Sequence, residues 1–189
     1  MSIVDTVNQL LSSLTVIGNA IIIILLLNLL YKAKTRKHLP FVKGLWDVIK
    51  ENALFYAFVI ALLAMGGSLF YSEIAVYNPC KLCWYQRILM YPLVIILGVA
   101  AMKKTKDVIK YVVPLALIGG LISAYHFYGQ VSNLHLPCEA NAAVPCGIKF
   151  TFHFGYITIP MMALTAFILI LICMIALSMR KETKTKQTE

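Results

Sequence analysis

Residues 79–87 read Pro-Cys-Lys-Leu-Cys-Trp-Tyr-Gln-Arg, and an apolar run begins at Ile88 directly after them. Cys80 and Cys83 form a Cys-x-x-Cys pair, which can close a small disulfide ring and exchange electrons. The apolar run predicts a helix, so both sulfurs are expected at a helix N-terminus, where the macrodipole and unpaired N–H groups favour a thiolate. Arg87 follows Cys83 by about one helical turn and is expected near the same face. The stretch predicts a redox site at the edge of a membrane.

The composition of the whole chain is that of a membrane protein. Of its 189 residues, 60% are hydrophobic and 13% are charged, and the mean hydropathy is +0.81. A soluble domain is about half apolar and about a quarter charged. A helix of about 20 apolar residues crosses the hydrocarbon core of a bilayer. Five apolar runs approach or exceed that length, and they are 11–31, 53–71, 84–102, 111–129 and 156–179.

The positive charge indicates how these spans are oriented. The net charge is +9, and 14 of the 17 Lys and Arg residues lie in 32–50, 103–110 and 180–189, which share one side of a five-span protein. The positive-inside rule then places the C-terminus in the cytoplasm and the N-terminus outside. Charge beside apolar runs favours this interpretation over nucleic-acid binding. No basic residue precedes the first run, so we interpret it as a retained span rather than a cleaved signal peptide.

The remaining loop cysteines lie in the longest loop, 130–155, on the same predicted side as the first pair. That side is extracytoplasmic, where disulfides persist. Cys138 and Cys146 are expected to be mobile and in water, where they can meet a soluble dithiol protein. Cys80 and Cys83 are pinned between two spans and can meet a lipid-soluble electron acceptor. The pattern predicts a two-stage relay of electrons.

Other interpretations of the cysteines stay open. The simplest alternative is that both pairs form structural disulfides, although a disulfide that closes a loop of two residues constrains the unfolded chain very little. A Cys₄ zinc site is disfavoured because its second pair is normally closely spaced. Haem attachment requires His after the second Cys, where this chain has Trp84. Cys173, deep in the last run, is predicted to be inert packing.

Two further side chains are candidates for the site. Arg87 either reaches toward lipid headgroups or stabilises a thiolate or a reduced ring oxygen. His126 lies about one turn from the outer end of its span, either as a satisfied interior residue or as a hydrogen-bond partner for a ring carbonyl. His135 and His153 are predicted at the solvent or the membrane interface.

The stretch 80–87, together with Tyr125-His126 and the later pair Cys138 and Cys146, resembles the DsbB family, and within it the BdbC-type oxidoreductases of Gram-positive bacteria. The order of spans and cysteines over 53–179 is similar as well. The resemblance implies an all-α membrane protein with a four-helix transmembrane bundle. The predicted organisation is an additional N-terminal transmembrane helix with a basic cytoplasmic loop, the redox bundle, and a basic cytoplasmic tail, at 1–52, 53–179 and 180–189 respectively.

The same resemblance also implies a function for this chain. It implies a thiol:quinone oxidoreductase of the bacterial cytoplasmic membrane that reoxidises an extracytoplasmic thioredoxin-like thiol oxidase and passes electrons to the membrane quinone pool, menaquinone or ubiquinone. The implied catalytic residues are Cys80, Cys83, Cys138 and Cys146, with Cys83 facing the quinone ring and the second pair exchanging with the partner. Arg87 and, more loosely, His126 are the implied quinone-binding residues. No resident metal is implied.

Three rivals remain beside this function. A vitamin-K-epoxide-reductase-like enzyme performs similar exchange, but its loop cysteines precede the Cys-x-x-Cys, and here they follow it. A membrane protein that binds metal through its outer cysteines is distinguished by metal content. A structural protein with two outer-loop disulfides predicts no change of redox state on meeting a dithiol. The resemblance assigns no role to the span at 11–31.

Overall fold

The computed structural model describes residues 3–35, 40–132 and 144–180. These residues form six helices: α1 (Ile3–Thr35), α2 (Pro40–Glu51), α3 (Ala53–Glu73), α4 (Lys81–Lys103), α5 (Ile109–Val131) and α6 (Ile159–Ser178). All of them except α2 are long and apolar enough to cross a membrane. The predicted all-α membrane fold is confirmed for the described part of the chain, and the tail beyond residue 180 lies outside it.

The last four helices pack as a bundle. Helix α3 contacts α4 and α6, and α5 contacts the same two helices, so the four form a closed ring. Ala57, Leu93, Val112 and Phe167, one from each helix, are fully buried inside it. The four helices are apolar on all sides, as expected of helices that contact lipid on the outside of the bundle and one another on the inside. Small residues allow the close approach that stabilises helix pairs in lipid.

Helix α1 packs against the outside of this ring, on α6. The hydroxyl of Thr165 donates a 2.8 Å hydrogen bond to the side-chain oxygen of Asn19. Gly18 lets the two backbones approach, because a Cβ there would lie 2.9 Å from the Thr165 methyl carbon. Helix α1 also begins at Ile3, earlier than the predicted span at 11–31.

Helix α2 lies where the sequence suggested only a basic loop. Its apolar residues Val42, Leu45, Trp46 and Ile49 recur at the spacing of one helical face. Val42 is buried, and Trp46 and Ile49 pack against the core of the bundle. The six basic residues of 32–50 mask this period, because they raise the polarity of the segment without changing which positions are apolar.

The two ends of the bundle differ in chemistry. At one end, the Lys106 ammonium donates to the Arg180 carbonyl, and the Arg180 guanidinium donates to the Glu51 carbonyl at 3.3 Å. The basic segments predicted to share a side of the membrane thus meet in space. At the other end, the linker 74–80 meets the segment 144–158, which carries Cys146. Apolar helices join the two ends, so Cys80, Cys83 and Cys146 are separated from the basic end by the length of the bundle.

An aromatic stack ties the segments of the cysteine end together. The rings of Tyr71 and Tyr77 are stacked with centroids 5.8 Å apart, and Tyr77 stacks on Phe150 at 4.9 Å. Tyr71 belongs to α3, Tyr77 to the linker before Cys80, and Phe150 to the segment after Cys146. Such offset ring pairs add to the free energy gained by burial. The stack holds both cysteine segments against the same end of the bundle.

Candidate active site

The Cys-x-x-Cys lies at the start of α4, as predicted. Cys80 is the N-cap residue, and its sulfur accepts a hydrogen bond from the Cys83 backbone N–H at 3.4 Å. Both cysteines are free, and their sulfurs lie 3.0 Å apart. A disulfide bond is about 2 Å long, so the pair needs about 1 Å of approach to close. The pair is placed to alternate between dithiol and disulfide.

His126, on α5, connects Cys80 to the second cysteine segment. The histidine is buried, and its Nε2 lies 3.8 Å from the Cys80 sulfur and 3.0 Å from the Cys146 carbonyl oxygen. A carbonyl only accepts hydrogen bonds, so Nε2 carries the proton. Gln86 lies 3.1 Å from Nδ1 with its amide nitrogen, which donates to the unprotonated ring nitrogen. This network directs the Nε2 N–H of His126 at both cysteine residues.

Cys146 is held against the same spot. It is 1% exposed and packs in one buried cluster with Cys80 and Leu82. Gln130, one turn after His126, donates to the carbonyls of Cys146 and Ile148 at 3.3 and 3.0 Å. Cys146 is in a disulfide bond. The prediction that this cysteine is mobile and in water is therefore wrong, because His126 and Gln130 of α5, both buried, anchor its backbone.

The surroundings of Cys80 favour its thiolate. The Cys83 thiol donates to the Cys80 sulfur, and with His126 it lowers the pKa of Cys80 well below that of an ordinary thiol, against the opposing effect of burial. A hydrogen bond to the charged form of an acid lowers its pKa. A thiol with a low pKa is a good leaving group in disulfide exchange. Cys80 is thus suited to receive and release a disulfide partner.

The pKa of Cys80 can be measured in a variant that keeps Cys80 and Cys83 and has alanine in place of Cys138, Cys146 and Cys173. The thiolate absorbance at 240 nm, followed against pH, is expected to persist below pH 7. It should be lost as pH falls through a midpoint well under the ordinary value of about 8.5. His126→Gln should raise the midpoint because it removes a partner of the thiolate, whereas His153→Gln should leave it unchanged. A midpoint near the ordinary value in the His126-containing protein contradicts the assignment.

Cys83 faces a different environment from Cys80. It lines a cavity of about 490 Å³ that lies among α1, α2, α3, α4 and α6, and Cys80 is not among the lining residues. Aliphatic side chains make up most of the cavity wall. The lining side chains that carry a charge or an amide are Asn78, Gln86 and Arg87, all at the Cys83 end. The cavity is therefore apolar along its length and polar beside one reactive sulfur.

Arg87 lies at this polar end. Its guanidinium donates a 2.9 Å hydrogen bond to the Ser68 carbonyl of α3 and lies 5.5 Å from the Trp84 ring centroid. The Tyr91 hydroxyl bonds to the Ser68 hydroxyl at 3.3 Å. Arg87 is half-buried, and its contacts with Ser68 and Trp84 hold the guanidinium group at the cavity. Its placement one turn after Cys83 follows the predicted spacing.

The remaining predicted residues fall elsewhere. Cys138 and His135 lie outside the described residues. His153 lies in the segment before α6, where its backbone pairs with Ile157. Cys173 is buried in α6, as predicted, and it also lines the cavity. His126 is not among the cavity-lining residues, so its predicted contact with a quinone ring stays a prediction.

Sequence reasoning gave no role to two glutamines. Gln86 is part of the motif and Gln130 stands outside it, yet both are buried and bond to the site. The sequence does contain a feature that could have identified them: burying a side-chain amide in an apolar span costs free energy unless the amide has a hydrogen-bond partner. Gln130 and His126 are also four residues apart, which places them on one helix face.

The site also groups three potential metal ligands. The sulfurs of Cys80 and Cys83 and a ring nitrogen of His126 lie within 4.8 Å of one another. Two thiolates and an imidazole are ligands that zinc accepts, with a fourth position left open.

Comparison with known proteins places the chain in a family. The family described as "Disulfide bond formation protein DsbB" matches residues 50–179. The chain is 50% identical to "Disulfide bond formation protein C" of Bacillus subtilis over 132 residues, which are 68% of this chain and 94% of that protein. It is 46% identical to a "Probable disulfide formation protein" of Oceanobacillus iheyensis over 127 residues, covering 65% and 86% of the two chains.

A more distant relative is the "Probable disulfide formation protein" of Deinococcus radiodurans, which is 39% identical over 133 residues, 65% of this chain and 86% of that protein. No solved structure matches the chain. The family match covers α3 to α6 and both cysteine segments, but it leaves out α1. With its cysteine pair at the N-terminus of α4 and its multi-pass helical fold, the chain belongs to the DsbB family of disulfide bond formation proteins, a membrane oxidoreductase family.

Proposed function

We propose that this protein is a thiol:quinone oxidoreductase, which reoxidises an extracytoplasmic thioredoxin-like protein and passes the electrons to a membrane quinone, menaquinone or ubiquinone. One observation carries the proposal. The two sulfurs of the Cys-x-x-Cys differ in their surroundings: Cys80 is buried in one cluster with Cys146, whereas Cys83 packs against that cluster and also lines an apolar cavity. A pair so placed can take electrons from one side and deliver them on the other.

The residues around the cavity fit a quinone. A hydrophobic ring with a hydrocarbon tail needs an apolar cleft with a few polar groups that fix its orientation. Arg87 and Gln86 supply donors beside Cys83, and aliphatic side chains supply the rest of the wall. A quinone held there would take the two electrons and two protons that the Cys80 and Cys83 thiols give up as their disulfide forms again. Arg87 would bind a ring oxygen, and its positive charge would favour the reduced form.

The transfer between the two pairs is disulfide exchange. After the donor protein has reduced the second pair, the Cys146 thiolate attacks the Cys80 sulfur. The Cys80–Cys146 bond forms, the Cys80–Cys83 bond breaks, and Cys83 leaves as a thiolate. Cys138 then attacks Cys146, the Cys138–Cys146 bond forms again, and Cys80 leaves as a thiolate. The lowered pKa of Cys80 favours this second departure.

His126 and Gln86 position this exchange. His126 binds the Cys146 carbonyl and the Cys80 sulfur through one N–H, so it holds the two cysteines in register and stabilises the charge on Cys80. Gln86 fixes the ring from the other nitrogen. Burial of the cluster excludes water, which strengthens these interactions.

The orientation belongs to the same proposal. The basic segments gather at the end of the bundle opposite the cysteines. The positive-inside rule then supports a cytoplasmic C-terminus, an N-terminus outside, and an extracytoplasmic site.

The test is quinone reduction by the purified protein in detergent, supplied with a reduced thioredoxin-like donor. The intact protein should turn over quinone, and Cys80→Ser and Cys138→Ser should not. With a small dithiol in place of the protein donor, Cys138→Ser should recover turnover because a small thiol reaches the inner pair directly. If no quinone is reduced while both pairs stay oxidised, the proposal is wrong, and the cysteines are structural.

A second candidate is a metal-binding protein, favoured by the grouping of Cys80, Cys83 and His126. It predicts that the protein, purified under reducing conditions, holds about one zinc ion, and that His126→Gln loses it. Elemental analysis of the reduced and oxidised protein separates the two candidates, because the oxidoreductase needs no bound metal for turnover.

A further inference from the structure

Helix α1 lies outside residues 50–179, which match the family, yet it is built into the protein. Its polar residues Asn8, Ser12, Thr15 and Asn19 recur every three or four residues, and the first three are buried. Of these, Asn19 bonds to a neighbouring helix, and such polar contacts anchor helices to one another in lipid. Thr165 bonds to Asn19 and packs against Gly18, as described above. One face of α1 is therefore fixed to α6.

A neighbouring face of α1 forms a wall of the cavity beside Cys83. The α1 residues that line it are Leu11, Leu14, Thr15, Ile17, Gly18 and Ile21. Opposite them, lining residues of α3 run from Tyr56 to Tyr71, and Gly67 faces Leu11, whose Cδ1 a Cβ would meet at 3.0 Å. Without α1, this part of the cavity would be an open groove on the surface of the bundle.

The length and polarity of the cavity point to what it holds. The sixteen residues of α3 from Tyr56 to Tyr71 are separated by fifteen steps of about 1.5 Å, which correspond to about 22 Å of helix. The amide and charged lining groups of the cavity lie at the Cys83 end, while Leu45, Val48 and Ile49 of α2 line the opposite end. A linear hydrocarbon chain with a polar head beside Cys83 matches this distribution. A compact ring alone occupies only the polar end.

We propose that α1 is the wall of a channel for the hydrocarbon tail of the quinone, and that it gives this protein its affinity for long-tailed electron acceptors. The inference rests on the proposed function and adds a determinant of specificity that the family-matched bundle does not contain. The ring end remains defined by Cys83, Arg87 and their neighbours. The tail lies between α1 and α3, and α2 adjoins its far part.

The test narrows the channel by placing a larger side chain on the wall that α1 forms. Ile21 lines the cavity, and Ile23, two residues on, is exposed on the same helix and does not line it. Ile21→Trp should raise the Kd of a naphthoquinone carrying a prenyl tail by on the order of tenfold, because an added ring in a filled channel forces the tail out. Menadione, which has the ring without a prenyl tail, should bind as before. Ile23→Trp is the matched control and should change neither Kd.

Binding is measured on the full-length protein in detergent by the ligand-induced rise in Tm, and turnover with each quinone is measured in parallel. Leu63→Trp, on the opposite α3 wall, is a second variant and should show the same selective loss. If Ile21→Trp and Leu63→Trp affect both quinones equally, or affect neither, the tail channel is wrong while the proposed function stands. If the unmodified protein neither binds nor reduces either quinone, the proposed function fails, and the channel fails with it.

Discussion

Replacing Cys83 with serine is expected to reduce quinone turnover by at least about a thousandfold, the scale of loss seen when a catalytic nucleophile is removed. The reason is that Cys83 is the member of the pair that lines the cavity. The same change should leave a covalent record. Without its partner, the Cys80 thiolate attacks Cys146, forms a Cys80–Cys146 disulfide and releases the Cys138 thiol.

Peptide mapping of the alkylated, non-reduced protein detects this cross-link. The reaction is an exchange of disulfide bonds and needs no added oxidant. It is expected because Cys80 and Cys146 already pack in one buried cluster. Cys80→Ser is the matched control, since it also stops turnover but has no sulfur that can bond to Cys146. A Cys83→Ser protein that keeps Cys80 as a free thiol and its second pair intact would show that the two segments do not exchange directly.

Replacing Gly119 with alanine is expected to destabilise the bundle strongly. A Cβ at this position would lie 2.3 Å from the Phe167 Cζ, and two further ring carbons lie within 2.8 Å. Phe167 is fully buried, so its ring cannot turn away without disturbing the core. Overpacking of this kind costs about 1–3 kcal/mol, sometimes more. The Tm in detergent should fall by several degrees.

Gly66→Ala provides the control for this change. Gly66 lies in another spanning helix, and a Cβ there meets no atom within 4 Å. The Tm of the Gly66→Ala protein should stay the same or rise, because alanine favours a helix more than glycine does. Equal Tm values for the two variants would mean that α5 and α6 can separate at this point at little cost. Gly119→Ala should also be rescued in part by Phe167→Leu, which removes ring atoms from the clash.

A pair of adjacent glycines in α3 shows where sequence reasoning reaches its limit. The pair Gly66-Gly67 suggests a close helix contact, but it does not say which glycine is needed or which helix approaches. In the structure, Gly66 faces open space and Gly67 faces Leu11 of α1. Which neighbour a small residue meets depends on the rotation of the helix and the choice of partner, and neither is encoded by local spacing.

The site shows the same division between local and distant information. The spacing of Cys80, Cys83 and Arg87 predicted their common position at a helix start, because helical geometry relates residues within one turn. The burial of Cys146 was not predicted, because it depends on Gln130 and His126 of another helix. A loop containing proline and cysteine has no local feature that distinguishes a mobile segment from one anchored by buried amides.

The sequence by itself determined that this is an all-α membrane protein with five apolar helices, a cysteine pair at the start of one of them, and basic segments on the opposite side. These features depend on residue type and on spacing along the chain. Only the tertiary structure decided that Cys80 packs with Cys146, that Cys83 lines a cavity, and that α1 closes one wall of it. The physical reason is that contacts between helices in lipid depend on the shape and polarity of two surfaces together. A single sequence period describes only one of those surfaces at a time.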